Sequence, residues 1–138
     1  MGEHAETFVH HINFLVRDVE AAAARFAGAL GLDFGALESL PSRGVVLRRA
    51  RAGATWIVLV QPVDSTGLPA EMLATQGEGV MLVSFAVDGL EAALERAEAA
   101  GAHRQGDIRG GLDHWRVADL CPVTLFGVPV QLVEDPDS

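Results

Sequence analysis

The stretch His10-His11-Ile12-Asn13-Phe14-Leu15-Val16 alternates along the chain and is rich in strand-forming residues, and Asp18 follows it as an N-cap for a helix. In that helix Val19, Ala22, Ala23, Phe26 and Leu30 recur at three- and four-residue spacing. One apolar stripe therefore faces a sheet, and Gly31 can close the last turn. Strand-like runs follow at roughly residues 34–37, 44–49 and 55–61, with a glycine-containing turn over 51–54. Then the order begins again. Val80-Met81-Leu82-Val83-Ser84-Phe85-Ala86-Val87 is a second such strand, and Asp88 and Glu91 are placed to cap a second helix with the stripe Leu90, Ala93, Leu94 and Ala97. That helix ends at Gly101, and further strands are expected around 103–105, 114–120 and 128–133. Phe14 matches Phe85, Val16 matches Val87, Val19 matches Leu90 and Glu20 matches Glu91, all at an offset of about 71 residues. The chain is internally duplicated.

A single four-stranded copy would leave one sheet face bare. The expected fold is therefore α+β: two βαβββ modules, about 8–62 and 79–135, packed edge to edge into one cup-shaped mixed sheet and forming a single domain over 1–138. Residues 63–78 form the linker, with a short helix from Pro69. The 138 residues, 49% hydrophobic and 21% charged, suffice for one globular core. Nineteen acidic against ten basic residues give a formal charge of −9, which repels phosphate backbones and anionic bilayers. Nucleic acid and membrane are thus excluded as partners, and a small-molecule ligand is expected. No apolar run reaches the roughly 18 residues that span a bilayer, and the opening residues lack the basic and apolar regions of a secretion signal, so a cytoplasmic protein is expected. One cysteine, Cys121, rules out an internal disulfide, and its apolar neighbours suit a buried small hydrophobe. All ten basic residues are Arg, and Lys and Tyr are absent. Lysine Schiff-base chemistry and lysine or tyrosine proton donors are excluded, which leaves acid–base work to His, Asp, Glu or the cysteine.

The His11-Ile12 strand, Gly77-Glu78-Gly79 before the second copy and the terminal Val130-Gln131-Leu132-Val133-Glu134 run together resemble the glyoxalase, or vicinal-oxygen-chelate, superfamily. Within it the chain is most similar to methylmalonyl-CoA epimerases, over most of its length. The resemblance implies a divalent metal held by one residue from the first and last strand of each copy, two of them His and two Glu or Gln. Here His11 stands at the first position, Val58 at the second, Leu82 at the third and Gln131 at the fourth, and Met81 replaces a further His. Aliphatic side chains offer a metal no lone pair, and one imidazole with one amide falls short of three or four donors. No cofactor and no tightly bound metal are therefore expected; any ion would rest on His11 and Gln131. A shifted register would recruit His10 or Gln61 instead, at the cost of turning each strand inside out. Ser42 stands where the resemblance implies a second carboxylate before Gly44, and Gln131 where a metal-binding Glu can double as base. Neither is a base near neutral pH, so epimerisation is not expected.

Period-two alternation puts His11 and Asn13, Trp56 and Val58, Leu82 and Ser84, and Gln131 in phase with those positions. His11 is the candidate catalytic acid–base; Asn13, Trp56, Val58, Leu82, Ser84 and Gln131 are candidate binding residues, joined by His114 on the rim after Gly110-Gly111. A backbone-bonded structural histidine would equally account for His11. Asp119 is expected to cap a loop, and His10 to point away from the cup. Arg43, Arg48, Arg49 and Arg51 form either a solvated strand edge or a receptor for a carboxylate or phosphate. Three functions follow: a metal-independent isomerase, lyase or cyclase acting on a small carbonyl compound; a non-catalytic drug- or metabolite-binding protein of the resistance type; or a metal-dependent epimerase. A homodimer is the expected assembly.

Overall fold

A computed structural model describes residues 7–137. The element order is β1 (Phe8–Leu15), α1 (Val19–Leu30), β2 (Glu38–Leu40), β3 (Val45–Ala52), β4 (Thr55–Pro62), α2 (Leu68–Gln76), β5 (Gly79–Ala86), α3 (Leu90–Ala99), β6 (Arg104–Gly110), β7 (Arg116–Leu120) and β8 (Val130–Glu134). These make two βαβββ modules of an α+β protein. The chain divides into two compact units, His11–Met81 and 82–137 with 7–10. Among the described residues no helix is long and apolar enough to cross a membrane.

In the first unit the strands lie in the order β2-β3-β4-β1, with β1 parallel to β4 and the other pairs antiparallel. Asp18 caps α1 as its sequence position predicts, accepting the backbone N–H groups of Glu20 and Ala21 at 3.1 Å. Gly31 closes the helix in the left-handed region at φ 69°, where a side chain would be strained. Val16, Val19, Ala23 and Leu59 form the core beneath the helix, joined by Phe14, Phe26 and Phe34. The expected strand over 34–37 is corrected: only Glu38–Leu40 joins the ladder. Ahead of it the Gly35 N–H bonds the Arg49 carbonyl at 2.9 Å, and the Arg48 guanidinium takes the carbonyls of Gly35 (2.8 Å) and Phe34 (3.4 Å) and pairs with Glu20. Those backbone groups are satisfied without strand pairing.

The second unit repeats the order as β5-β8-β7-β6, with β5 parallel to β8. Leu90, Ala93, Leu94, Ala118, Leu120 and Leu132 form the core under α3. Here the expected Asp88 cap is replaced. Gly89 holds the N-cap position without a side-chain bond, and Glu134 Oε1 accepts the Leu90 N–H at 3.0 Å from the last strand. Gln61 does the same in the first unit, accepting the Val19 N–H at 2.9 Å. Both modules thus pin a helix start with the polar end of their last strand. Arg116 then ties Glu134 to Glu91 in the first turn of α3.

Phe126 stands in the left-handed region at φ 59° with its side chain 98% exposed, so its ring packs on nothing. A non-glycine residue there costs roughly 1–2 kcal/mol, against roughly 0.5–1 kcal/mol for the backbone entropy of glycine. Phe126→Gly is therefore expected to stabilise the protein by about 0.5–1 kcal/mol, read as a rise in urea midpoint at constant slope.

Candidate functional site

The strand registers decide which side chains share a face. On the first module His11, Trp56 and Arg51 are successive partners across β1, β4 and β3, and Asn13, Val58 and Arg49 form the next row. All lie on the sheet face opposite α1, since Phe14 and Leu59, which alternate with them, pack beneath the helix. His11 and Val58 are buried and Trp56 and Asn13 partly so. Asn13 Oδ1 is buried and meets no donor. The reason is its neighbour: Val58 is directly opposite and can offer no hydrogen bond.

The second module shows what the same place looks like when it is satisfied. Ser84, the counterpart of Asn13, faces Gln131, the counterpart of Val58, and Asp119 faces Gln131 from β7. Ser84 Oγ donates to Gln131 Oε1 at 2.9 Å, Gln131 Nε2 donates to Asp119 Oδ1 at 3.2 Å, and Arg109 clamps Asp119 with bonds of 2.7 and 3.5 Å. Asp119 does not cap a loop; it ion-pairs on this face, because Gln131 and Arg109 supply the donors that a carboxylate amid Val117, Ala118 and Leu120 needs. Leu82, two residues before Ser84, lies buried on the same face. Across the duplication the polarity of the outer pair is reversed. In the first module Arg49 on β3 is held by Glu38 on β2, at 2.9 and 3.2 Å.

His114 is exposed in the turn before β7, at φ 69° beside Asp113 at φ 48°, two successive non-glycine residues in the left-handed region. Trp115, which follows, is buried and packs its edge on His10, ring centroids 4.6 Å apart. His10 itself is buried and bonded to Asp135 at 2.7 Å. This His–Asp–Trp cluster was not legible in the sequence, because nothing in 7–10 signals a partner at 135. Glu91 and Glu98 stand exposed on α3, and their carboxyls are held below the ordinary value of 4.5 by hydrogen bonds from Arg116 and His103 respectively.

The four positions at which the fold family implies a metal do not fit one. Val58 and Leu82 have no donor atoms, which leaves one imidazole and one amide where three or four donors are needed. The shifted set fares no better, since His10 is committed to Asp135 and Gln61 to the start of α1. Among the described residues no three His, Cys, Asp or Glu side chains are grouped to hold an ion.

A profile of the Glyoxalase/Bleomycin resistance protein/Dioxygenase superfamily matches residues 10–118. The chain is 28% identical over 127 residues to an ethylmalonyl-CoA/methylmalonyl-CoA epimerase of Cereibacter sphaeroides, covering 90% of this chain and 95% of that protein. Its fold matches that of a hypothetical protein from Bacillus halodurans with a TM-score of 0.91, at 23% identity and covering 97% and 98% of the two chains. It also matches Streptomyces coelicolor methylmalonyl-CoA epimerase in complex with 2-nitronate-propionyl-CoA, with a TM-score of 0.86, 23% identity and coverage of 96% and 99%.

Proposed function

We propose that this chain, which belongs to the Glyoxalase/Bleomycin resistance protein/Dioxygenase superfamily, binds a small carbonyl-type organic molecule against the His11–Asn13 face and isomerises or cleaves it without a resident metal. The observation that carries this is the buried, unpaired Oδ1 of Asn13 beside the buried His11, on a face that Trp56 and Val58 share with Arg49 and Arg51. A buried acceptor with no donor is costly, and a ligand hydroxyl, enol or amide N–H would remove the cost. Apolar walls with one or two placed polar groups are the usual make-up of a small-molecule site.

In this mechanism Asn13 Oδ1 orients the ligand, Trp56 and Val58 exclude water, and the His11 imidazole takes a proton from carbon and returns it. No second base supports it. Its neighbours on this face, Asn13, Trp56, Arg49 and Arg51, are not bases. A single base returns the proton to the face it took it from, which suits a proton shift or elimination and not the inversion of a centre.

A second reading, a metal-dependent acyl-CoA epimerase, is favoured by the name of the Cereibacter relative. Metal content decides between them. Protein purified without a histidine tag is expected to hold well under one equivalent of divalent metal, to melt within about 1 °C of the same temperature with added zinc, cobalt or manganese, and to leave methylmalonyl-CoA stereoisomers unconverted. Near-stoichiometric metal with stabilisation, or epimerisation, would overturn the metal-free reading.

A further inference from the structure

Three of the four clustered arginines, alike in the sequence, have separate tasks in the fold. Arg48 holds the chain around Phe34 and Gly35, and Arg49 is engaged by Glu38. Arg51 is exposed. Its guanidinium lies 4.0 Å from the centre of the Trp56 ring, bonds the Ala54 carbonyl at 3.2 Å, and among the described residues pairs with no carboxylate. Arg49 lies over the same ring at 4.6 Å. Together with Asp33, Gly35 and Glu38 these side chains line a groove of about 560 Å³, within the size range of small-molecule sites.

From this geometry we infer that Arg51 reads a carboxylate on the ligand, so that the molecule held at His11 is a small organic acid. The assignment rests on the His11 face being the ligand site and names the class of ligand it takes. His11, Trp56 and Arg51 are register neighbours in one row, and adjacent strands lie about 4.8 Å apart, so roughly 10 Å separates the backbone of the base from that of the cation. The groove reaches Trp56, and His11 is the next residue across that row, so a molecule whose carboxylate sits on Arg51 would extend along the row, past the edge of the indole, toward the imidazole. Of the five N–H donors of a guanidinium, the Ala54 carbonyl occupies one, which leaves a pair for two-point binding. The stacked indole fixes the plane of that fork.

The charge of the groove selects one negative charge over two. Glu38 cancels Arg49, which leaves Arg51 as the one cation of the wall without an ion pair among the described residues, and Asp33 would repel a second anionic charge. A carboxylate therefore suits the site better than a phosphate, which carries about −1.5 to −2 near neutral pH.

Benzoate, benzamide and phenyl phosphate test this as probes of matched shape. The chain has two tryptophans and no tyrosine, so its emission reports Trp56 and Trp115 alone, and Trp56→Phe assigns the change. Calorimetric titration gives the same constants without either ring. Benzoate is expected to bind at least about tenfold more tightly than benzamide; Arg51→Gln removes that difference, and Arg51→Lys keeps part of it as a point charge. Arg51 is exposed, so both variants should fold, which far-ultraviolet circular dichroism checks. Equal binding of benzoate and benzamide, phenyl phosphate binding more tightly than benzoate, or benzoate affinity unchanged in Arg51→Gln overturns the carboxylate assignment. Equal binding that is lost in Asn13→Leu overturns it while leaving the His11–Asn13 site standing, whereas no binding by any probe removes both.

Discussion

His11→Ala is expected to lower kcat by about 10²–10⁴-fold, the usual share of a positioned general base, while ligand affinity changes only severalfold. The expectation follows from what surrounds the imidazole. The chain has no lysine or tyrosine, and His11 shares a face and a strand with the unpaired Asn13 oxygen. Protonation removes the lone pair the base needs, so wild-type kcat should fall on the acid side, and the residual rate of His11→Ala should lose that limb. A merely structural histidine gives a different pattern. His11→Ala would then melt earlier and bind ligand more weakly, with kcat and its pH profile unchanged. Tight binding without turnover in the wild-type protein would instead place the chain among the non-catalytic binding proteins.

Duplication was the part of the fold most legible in the sequence, because a period-two strand followed directly by a capped 3.6-period helix occurs twice at one offset. That pattern lies in local residues such as Phe14, Asp18 and Val19, and the ladder confirms their faces. What escaped the sequence were partnerships between residues far apart. Glu134 replaces Asp88 at the start of α3, Arg48 takes the backbone carbonyls ahead of β2, and His10 finds Asp135 across almost the whole chain. The faces of His11, Asn13, Trp56 and Val58 on the first module, and of Ser84 and Gln131 on the second, follow from alternation alone. The state of each polar group does not, because it depends on the residue across the ladder, a valine opposite Asn13 and a glutamine opposite Ser84.

That difference makes Gln131 the position where a single substitution should cost most stability on these faces. Gln131→Leu keeps the volume approximately but leaves the Ser84 hydroxyl, fully buried, without its acceptor and takes one donor from Asp119. A buried polar group left unpaired costs about 1–3 kcal/mol, whereas Asp119 is partly exposed and can recruit water, so the total should be about 2–3 kcal/mol. At this chain length that lowers Tm by about 6–12 °C. Adding Ser84→Ala removes the orphaned hydroxyl, and the double variant should recover about 1 kcal/mol or more relative to Gln131→Leu alone, since replacing both partners by apolar groups can be nearly neutral. Urea unfolding of the four proteins in the cycle measures the coupling directly. Single and double variants of equal stability would mean that the 2.9 Å bond contributes nothing. Recovery would measure the cost of a buried unpaired polar group on such a face, which is the condition of Asn13 Oδ1 opposite Val58.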